Sequence, residues 1–220
     1  MTGIVVLLMA LLLWLVVTGD DAAIARSVFF DGLHERWIGR HEWWANELLH
    51  TGGRNAMRLL GVIALAAWAV SAFHPRLVPH RAALGYLAAC MVIVPLTVGL
   101  LKQVTNVDCP WDLQGFGGTL PAIHWFQHRP DDLPHAACFP GAHSSSAFAL
   151  FSLFFVWRPT RPRLAWAAFT GTVMLGALFS IAQQARGAHF LSHDLASALI
   201  AWLLCYALTR PTSKNPYLSR

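Results

Sequence analysis

Three stretches of this chain set ionisable residues against long apolar runs. They are Lys102, the segment Phe139-Pro140-Gly141-Ala142-His143-Ser144-Ser145-Ser146, and the segment from Gln183 through Arg186, Gly187, Ala188 and His189 to His193 and Asp194. Such groups are costly beside membrane-type helices, and they mark functional sites by default. Their types suit phosphoryl transfer, which needs cations and N–H donors for the phosphate oxygens, a nucleophile in line, and an acid for the leaving oxygen. Lys102 and Arg186 are the cations. The turn at Gly141 and Ala142 precedes an apolar run, whose helix N-terminus offers N–H groups and a favourable dipole to an anion. His143 and His189 divide the proton-transfer and nucleophilic work.

The elements that must hold these residues are membrane helices. A chain of 220 residues that is 56% hydrophobic and only 12% charged, with a mean hydropathy of +0.49, is too apolar for a typical soluble domain. Apolar runs cover 3–18, 59–73, 82–101, 144–157, 164–181 and 190–208. Several fall short of the ~20 residues that cross a bilayer squarely, so flanking polar residues must extend the helices. The expected fold is all-α, a polytopic membrane bundle of about six helices in a single domain over 1–220, with the chemistry-bearing part over 82–210. The first run has neither a basic n-region nor a convincing cleavage site before Asp20 and Asp21, so it is expected to stay as an anchor.

Charge sets the expected orientation. The connections 74–81 and 158–163 and the tail after Arg210 hold Arg76, Arg81, Arg158, Arg161, Arg163, Arg210, Lys214 and Arg220 without one carboxylate. By the positive-inside rule these face the cytoplasm, with both termini. Lys102, His143, Arg186 and His189 then share the outer face. The first outer loop contains Trp43-Trp44-Ala45-Asn46-Glu47-Leu48-Leu49-His50, which reads as an interfacial helix whose Glu42, Glu47 and His50 either touch a substrate headgroup or, as the preferred reading, form a solvated face. The net charge of +5 does not point to nucleic acid, because no Lys/Arg-rich run carries interleaved aromatics. Cys90 and Cys205 lie in apolar runs, whereas Cys109 and Cys138 share one polar loop and are a candidate disulfide if that loop faces an oxidising compartment.

The order Lys…Pro, Pro-x-x-His, then basic residue…Gly-x-His…Asp resembles the type 2 phosphatidic acid phosphatase (PAP2) superfamily over about the last half of the chain. The resemblance implies a core of six membrane spans, a phosphohistidine intermediate and no metal or other cofactor. Lys102 and Pro110 match the first motif, with Cys109 where the family has arginine. Pro140 and His143 match the second, with Gly141 and Ala142 replacing Ser and Gly; His143 is then the acid for the leaving group. Gly187-Ala188-His189 matches the third and makes His189 the nucleophile, while Gln183 occupies the arginine position. Arg186, three residues on, shares a helical face with Gln183 and can place its guanidinium in nearly the same volume. His193 stands at the family's Asp position. Asp194, one residue beyond, is expected to orient and activate an imidazole. A shifted register would make His193 the nucleophile with Ser197 as its poorer orienter. Gln183, His193, Asp108 and Ser144 are further candidate contacts, and Asp108, Trp111 and Asp112 either replace lost contacts or order their loop.

The resulting expectation is a lipid phosphatase acting on a phosphomonoester or diphosphate, with lipid A, undecaprenyl diphosphate and glycerophospholipid phosphates as possible substrates. It would lie in a bacterial inner membrane with its site facing the periplasm, its partners being lipid phosphate and membrane lipids. No metal is expected, since His124, His128, His135, His143, His189 and His193 with Asp131 and Asp132 show no tight ligand spacing. Three other readings stay open: a lipid-to-lipid phosphotransferase on the same site, a non-catalytic lipid-phosphate-binding protein suggested by Cys109 and Gln183, and a haem carrier. Haem ligands usually sit within the spans, whereas these histidines sit at helix ends beside cations.

Overall fold

The computed structural model describes residues 2–123 and 127–209; the charged tail residues Arg210, Lys214 and Arg220, and His124, lie outside them. Each apolar run forms helix. In chain order these are α1 (Thr2–Thr18), α2 (Asp20–Val28), two short antiparallel strands β1 (Phe30–Asp31) and β2 (Arg36–Trp37), a π-helix (Trp44–Gly52) continuous with α3 (Gly53–Val70), then α4 (Arg81–Thr105). After a long loop come α5 (Ala142–Phe148), α6 (Phe151–Trp157), α7 (Pro162–Ala185) and α8 (Leu191–Thr209). Apart from the β1–β2 pair the protein is all-α, as expected.

Among the described residues three stretches are long and apolar enough to cross a membrane: Val78–Asp112, which contains α4, then α7 and α8. Helices α1 and α2 qualify together but meet at an 89° bend, which gives up to four against the six expected. The shortfall has a physical source. The remaining helices carry polar residues at the end where the site forms: Arg54 and Arg58 in the first two turns of α3, and His143 to Ser146 in the short apolar stretch Ala142–Trp157. Large apolar side chains such as Leu7, Leu59, Leu96, Trp166 and Met174 point outward, where only lipid can cover them without cost.

An aromatic core of Phe148, Phe151, Phe154, Phe155 and Trp202 packs α5 and α6 against α7 and α8, joined by Cys90 and Val94 of α4. Without a hydrophobic drive between helices in lipid, close approach depends on small residues. Gly176 of α7 shows this, since a Cβ there would come within 2.0 Å of the Phe148 ring. A second cluster of Ala25, Trp37, Leu113 and Phe116 caps the bundle at the opposite end, where Trp37 stacks on Phe116 at 5.2 Å and Phe190 meets Phe116 edge-on. The 89° bend after α1 carries Asp21 over to α8, where its Oδ1 accepts the Ser192 N–H at 3.0 Å. The chain enters α3, α5 and α8 and leaves α4 and α7 at this capped end, so their polar termini converge.

Gly176→Ala is expected to destabilise the bundle by about 1–3 kcal/mol through overpacking against Phe148. Gly171→Ala on the same helix, where a Cβ meets nothing within 4 Å, should leave the thermal unfolding midpoint in detergent unchanged or raised.

Candidate active site

The site is built at that convergence, around a cavity of about 810 Å³ lined by Lys102, His143, Arg186 and His189. Ala142 and Gln183 also line it. Each cation and imidazole expected to act together therefore reaches one volume. The turn joining α7 to α8 makes this possible: Gly187 takes φ +78, the Ala188 N–H bonds the Gln183 carbonyl at 2.9 Å, and the Gly187 carbonyl accepts the Trp111 N–H at 2.9 Å. A Cβ at Gly187 would strike the Trp37 indole at 2.5 Å, so the turn is also fixed from above.

His189 is buried, with its Nδ1 3.4 Å from Nδ1 of His193. The Cys138 backbone lies beside both rings. Burial above all, then the fields of His193, Lys102 and His143, holds the His189 imidazole well below its usual range, so it is neutral with a lone pair at neutral pH. His143 lies on the other side of the cavity. Its Nε2–H donates to the Leu49 carbonyl at 3.0 Å, its ring stacks on Phe179 at 4.5 Å, and the His50 ring lies 4.9 Å away.

Several expected contacts take a different form. Asp194 was expected to orient an imidazole, but its Oδ1 accepts from the Ser144 hydroxyl at 2.6 Å and its Oδ2 from the Gln184 amide at 3.4 Å. Successive helix positions point about 100° apart, so His193, four residues on, faces His189 while Asp194 turns toward α5 and α7. Gly141 was expected to offer its N–H to phosphate, but that N–H donates to the His193 carbonyl at 2.9 Å and ties α5 to α8. Ser144 is fully buried in the same junction. Asp108 is turned to scaffolding, with its carboxylate held by both terminal nitrogens of Arg129. Cys109 and Cys138 are joined by a disulfide, with Cα atoms 5.2 Å apart, and both line the cavity.

Arg186 and Gln183 do share a face. The Arg186 Nη1 donates to Gln183 Oε1 at 2.9 Å, and its Nε to Asn46 Oδ1 at 2.8 Å. The Gln183 amide nitrogen in turn donates to His50 Nδ1 at 2.8 Å, which fixes His50 as the neutral acceptor. Burial, followed by the charges of Arg186 and Arg54, pushes His50 down to about 4. Asn46 is pinned by donating to the carbonyls of Gly39, Arg40 and Glu42, at 2.9–3.2 Å. π-Helical turns recur at functional sites, and this one sets Asn46 and His50 against Arg186 and Gln183.

His50, Arg54 and Arg58 line the cavity; the sequence placed His50 on a solvated face by preference and did not single out Arg54 and Arg58. Their signal was the i, i+4, i+8 spacing, which puts them on one helical face, but in the sequence the helix read as lying in the interface, with that face toward solvent. Among the described residues no cluster of three His, Cys, Asp or Glu forms a metal site, and none lining the cavity is a carboxylate.

A cationic cavity with histidines at the ends of apolar helices has the make-up of an anion site in a membrane protein. The chain belongs to the PAP2 superfamily, whose family model matches residues 83–217. That superfamily includes phosphatases acting on lipid phosphates. No curated protein and no solved structure gives a match.

Denatured without reductant, the protein should alkylate at two thiols, Cys90 and Cys205, and at four after reduction, read by intact mass. Four labelled thiols without reductant would mean that the 109–138 bridge is absent.

Proposed function

We propose that the protein is a lipid phosphatase in which His189 attacks phosphorus, His143 serves the leaving oxygen, and water then releases phosphate from the histidine. The observation that carries this reading is the make-up of one cavity. Its polar end holds Lys102, Arg186, His143 and His189, and its other end is lined by Val62, Leu65 and Val92, which are also exposed on the outer surface of α3 and α4. Such a cavity opens sideways toward lipid chains and holds a phosphate at its base.

The division of labour follows from the surroundings of each ring. His189 is neutral, and its Nδ1 lies against His193 Nδ1, which leaves Nε2 as the nitrogen turned to phosphorus. His193 does here the orienting expected of Asp194. Lys102 neutralises the phosphoryl oxygens beside His189. Arg186, held by Gln183 and Asn46, stands where a guanidinium is needed and Gln183 cannot supply one. The cationic end lies where α4 and α7 finish, opposite the basic turns 74–81 and 158–163; by the positive-inside rule it faces the periplasm of a bacterial inner membrane, where the 109–138 disulfide persists.

Purified protein should release inorganic phosphate from a lipid phosphate in excess chelator. His189→Ala should abolish turnover, and Arg186→Ala should lower kcat/KM about a hundredfold, as loss of a donor to the developing charge does. Unchanged release by His189→Ala would refute the nucleophile. Because His189 is held below the usual imidazole range, it loses its lone pair only at more acid pH. The acid limb of kcat/KM should therefore fall below pH ~6.5, the ordinary histidine value. A limb at or above that value would contradict a buried neutral nucleophile.

A further inference from the structure

The hydrogen bonds around His50 have a fixed polarity. A guanidinium only donates, so the Arg186 Nη1 contact at 2.9 Å identifies Oε1 of Gln183 and leaves its amide nitrogen facing His50 Nδ1 at 2.8 Å. Nδ1 therefore presents a lone pair, and the proton of the neutral ring is on Nε2. His50 lines the cavity, yet that N–H makes no hydrogen bond among the described residues. One turn on, the buried Nε of Arg54 also lacks a partner among the described residues, and Arg54 lines the same cavity. His143 has the opposite disposition. Its Nε2–H is spent on the carbonyl of Leu49, the residue beside His50, so the nitrogen it has left is an acceptor. The two rings lie 4.9 Å apart.

We infer that His50 and Arg54 bind the substrate's phosphate on the His143 side of the cavity, His50 donating Nε2–H and Arg54 donating Nε–H to its oxygens. This rests on the phosphatase reading above and adds to it contacts from the π-helix and α3, both outside the residues matched by the superfamily. Unengaged donors one turn apart suit an anion with several acceptor oxygens, and a phosphate has them. His50 binds without transferring a proton. To act as an acid it would need a proton on Nδ1 as well, which would set two donors against each other at 2.8 Å. The ring keeps its one proton throughout, and no bond forms or breaks on it. Gln183 then links Arg186 to His50, so that the guanidinium and the imidazole are oriented together.

A purely architectural His50 would use only Nδ1, as the acceptor that anchors Gln183. A phosphate-binding His50 also uses Nε2. Amide side chains separate the two, because the amide of asparagine sits on Cβ and overlies Nδ1, whereas that of glutamine lies one carbon further out and reaches the position of Nε2.

The test titrates inorganic phosphate into the full chain in detergent by calorimetry, alongside phosphate release from dioctanoyl phosphatidate. His50→Ala, His50→Asn and Arg54→Ala should each weaken phosphate binding about tenfold or more, the size of a hydrogen bond to a charged group. His50→Gln should recover part of the loss, and Arg76→Ala, on the opposite basic turn, should bind as wild type does. In wild type labelled with 15N-histidine, phosphate should also shift one neutral Nε2–H resonance that His50→Gln lacks, a readout that does not depend on the stability of the alanine variant. Binding by His50→Asn within about twofold of wild type, binding by His50→Gln weaker than by His50→Asn, or an unmoved resonance overturns the inference. If wild type turns over phosphatidate while its phosphate binding ignores His50 and Arg54, the phosphatase reading stands and this inference falls. If phosphate binding depends on both residues but wild type releases none from the lipid, the binding pair stands and the phosphatase reading falls.

Discussion

The positive charge of the cavity constrains everything around it. Lys102, Arg54, Arg58 and Arg186 line one partly enclosed volume at a membrane edge, where desolvation makes unbalanced charge costly, and among the described residues no carboxylate lines it. The neutral state of His50 and His189 is one consequence, since burial and neighbouring cations both disfavour an imidazolium. The ordering of Gln183 and Asn46 is another: their oxygens take hydrogen bonds from Arg186 and dictate where its guanidinium lies.

The scaffold supplies this charge from two sources. Helices α4, α5, α7 and α8 lie in the segment that matches the superfamily, and they provide Lys102 and both histidines. The π-helix and α3 lie before it and provide His50 and Arg54, together with the Leu49 carbonyl that engages His143. Cys109, which stands where the superfamily pattern has arginine, is spent in a bridge to Cys138. Arg54 and Arg186 line the same cavity as Cys109 and Gln183.

The junction of α5 with α8 explains why neighbours in sequence have unlike duties. His193 gives its ring to His189 and its carbonyl to the Gly141 N–H, and Asp194 gives its carboxylate to Ser144. A Cβ at Gly141 would lie 2.6 Å from Asp194 Oδ1, so glycine there is a packing requirement rather than a means of reaching phosphate.

Much of this site was legible in the sequence, for a simple reason. Apolar runs separated by basic turns alternate in direction, so charge alone puts Lys102, His143, Arg186 and His189 at one end of the bundle, and the Gly-x-His and Pro-x-x-His patterns mark the histidines. The all-α class follows from composition in the same way. The span count was less legible, because polar residues of the site lie within the helix ends and shorten the apolar stretches. Tertiary structure alone decided the rest. Whether His193 or Asp194 meets His189 turns on a rotation of about 100° between adjacent helix positions, too fine for a spacing argument. The periodicity of His50, Arg54 and Arg58 shows a shared face, but not what it faces. That depends on α3 and the π-helix packing against residues some 130 positions away, such as Gln183, and such a pairing is set by side-chain fit across the bundle.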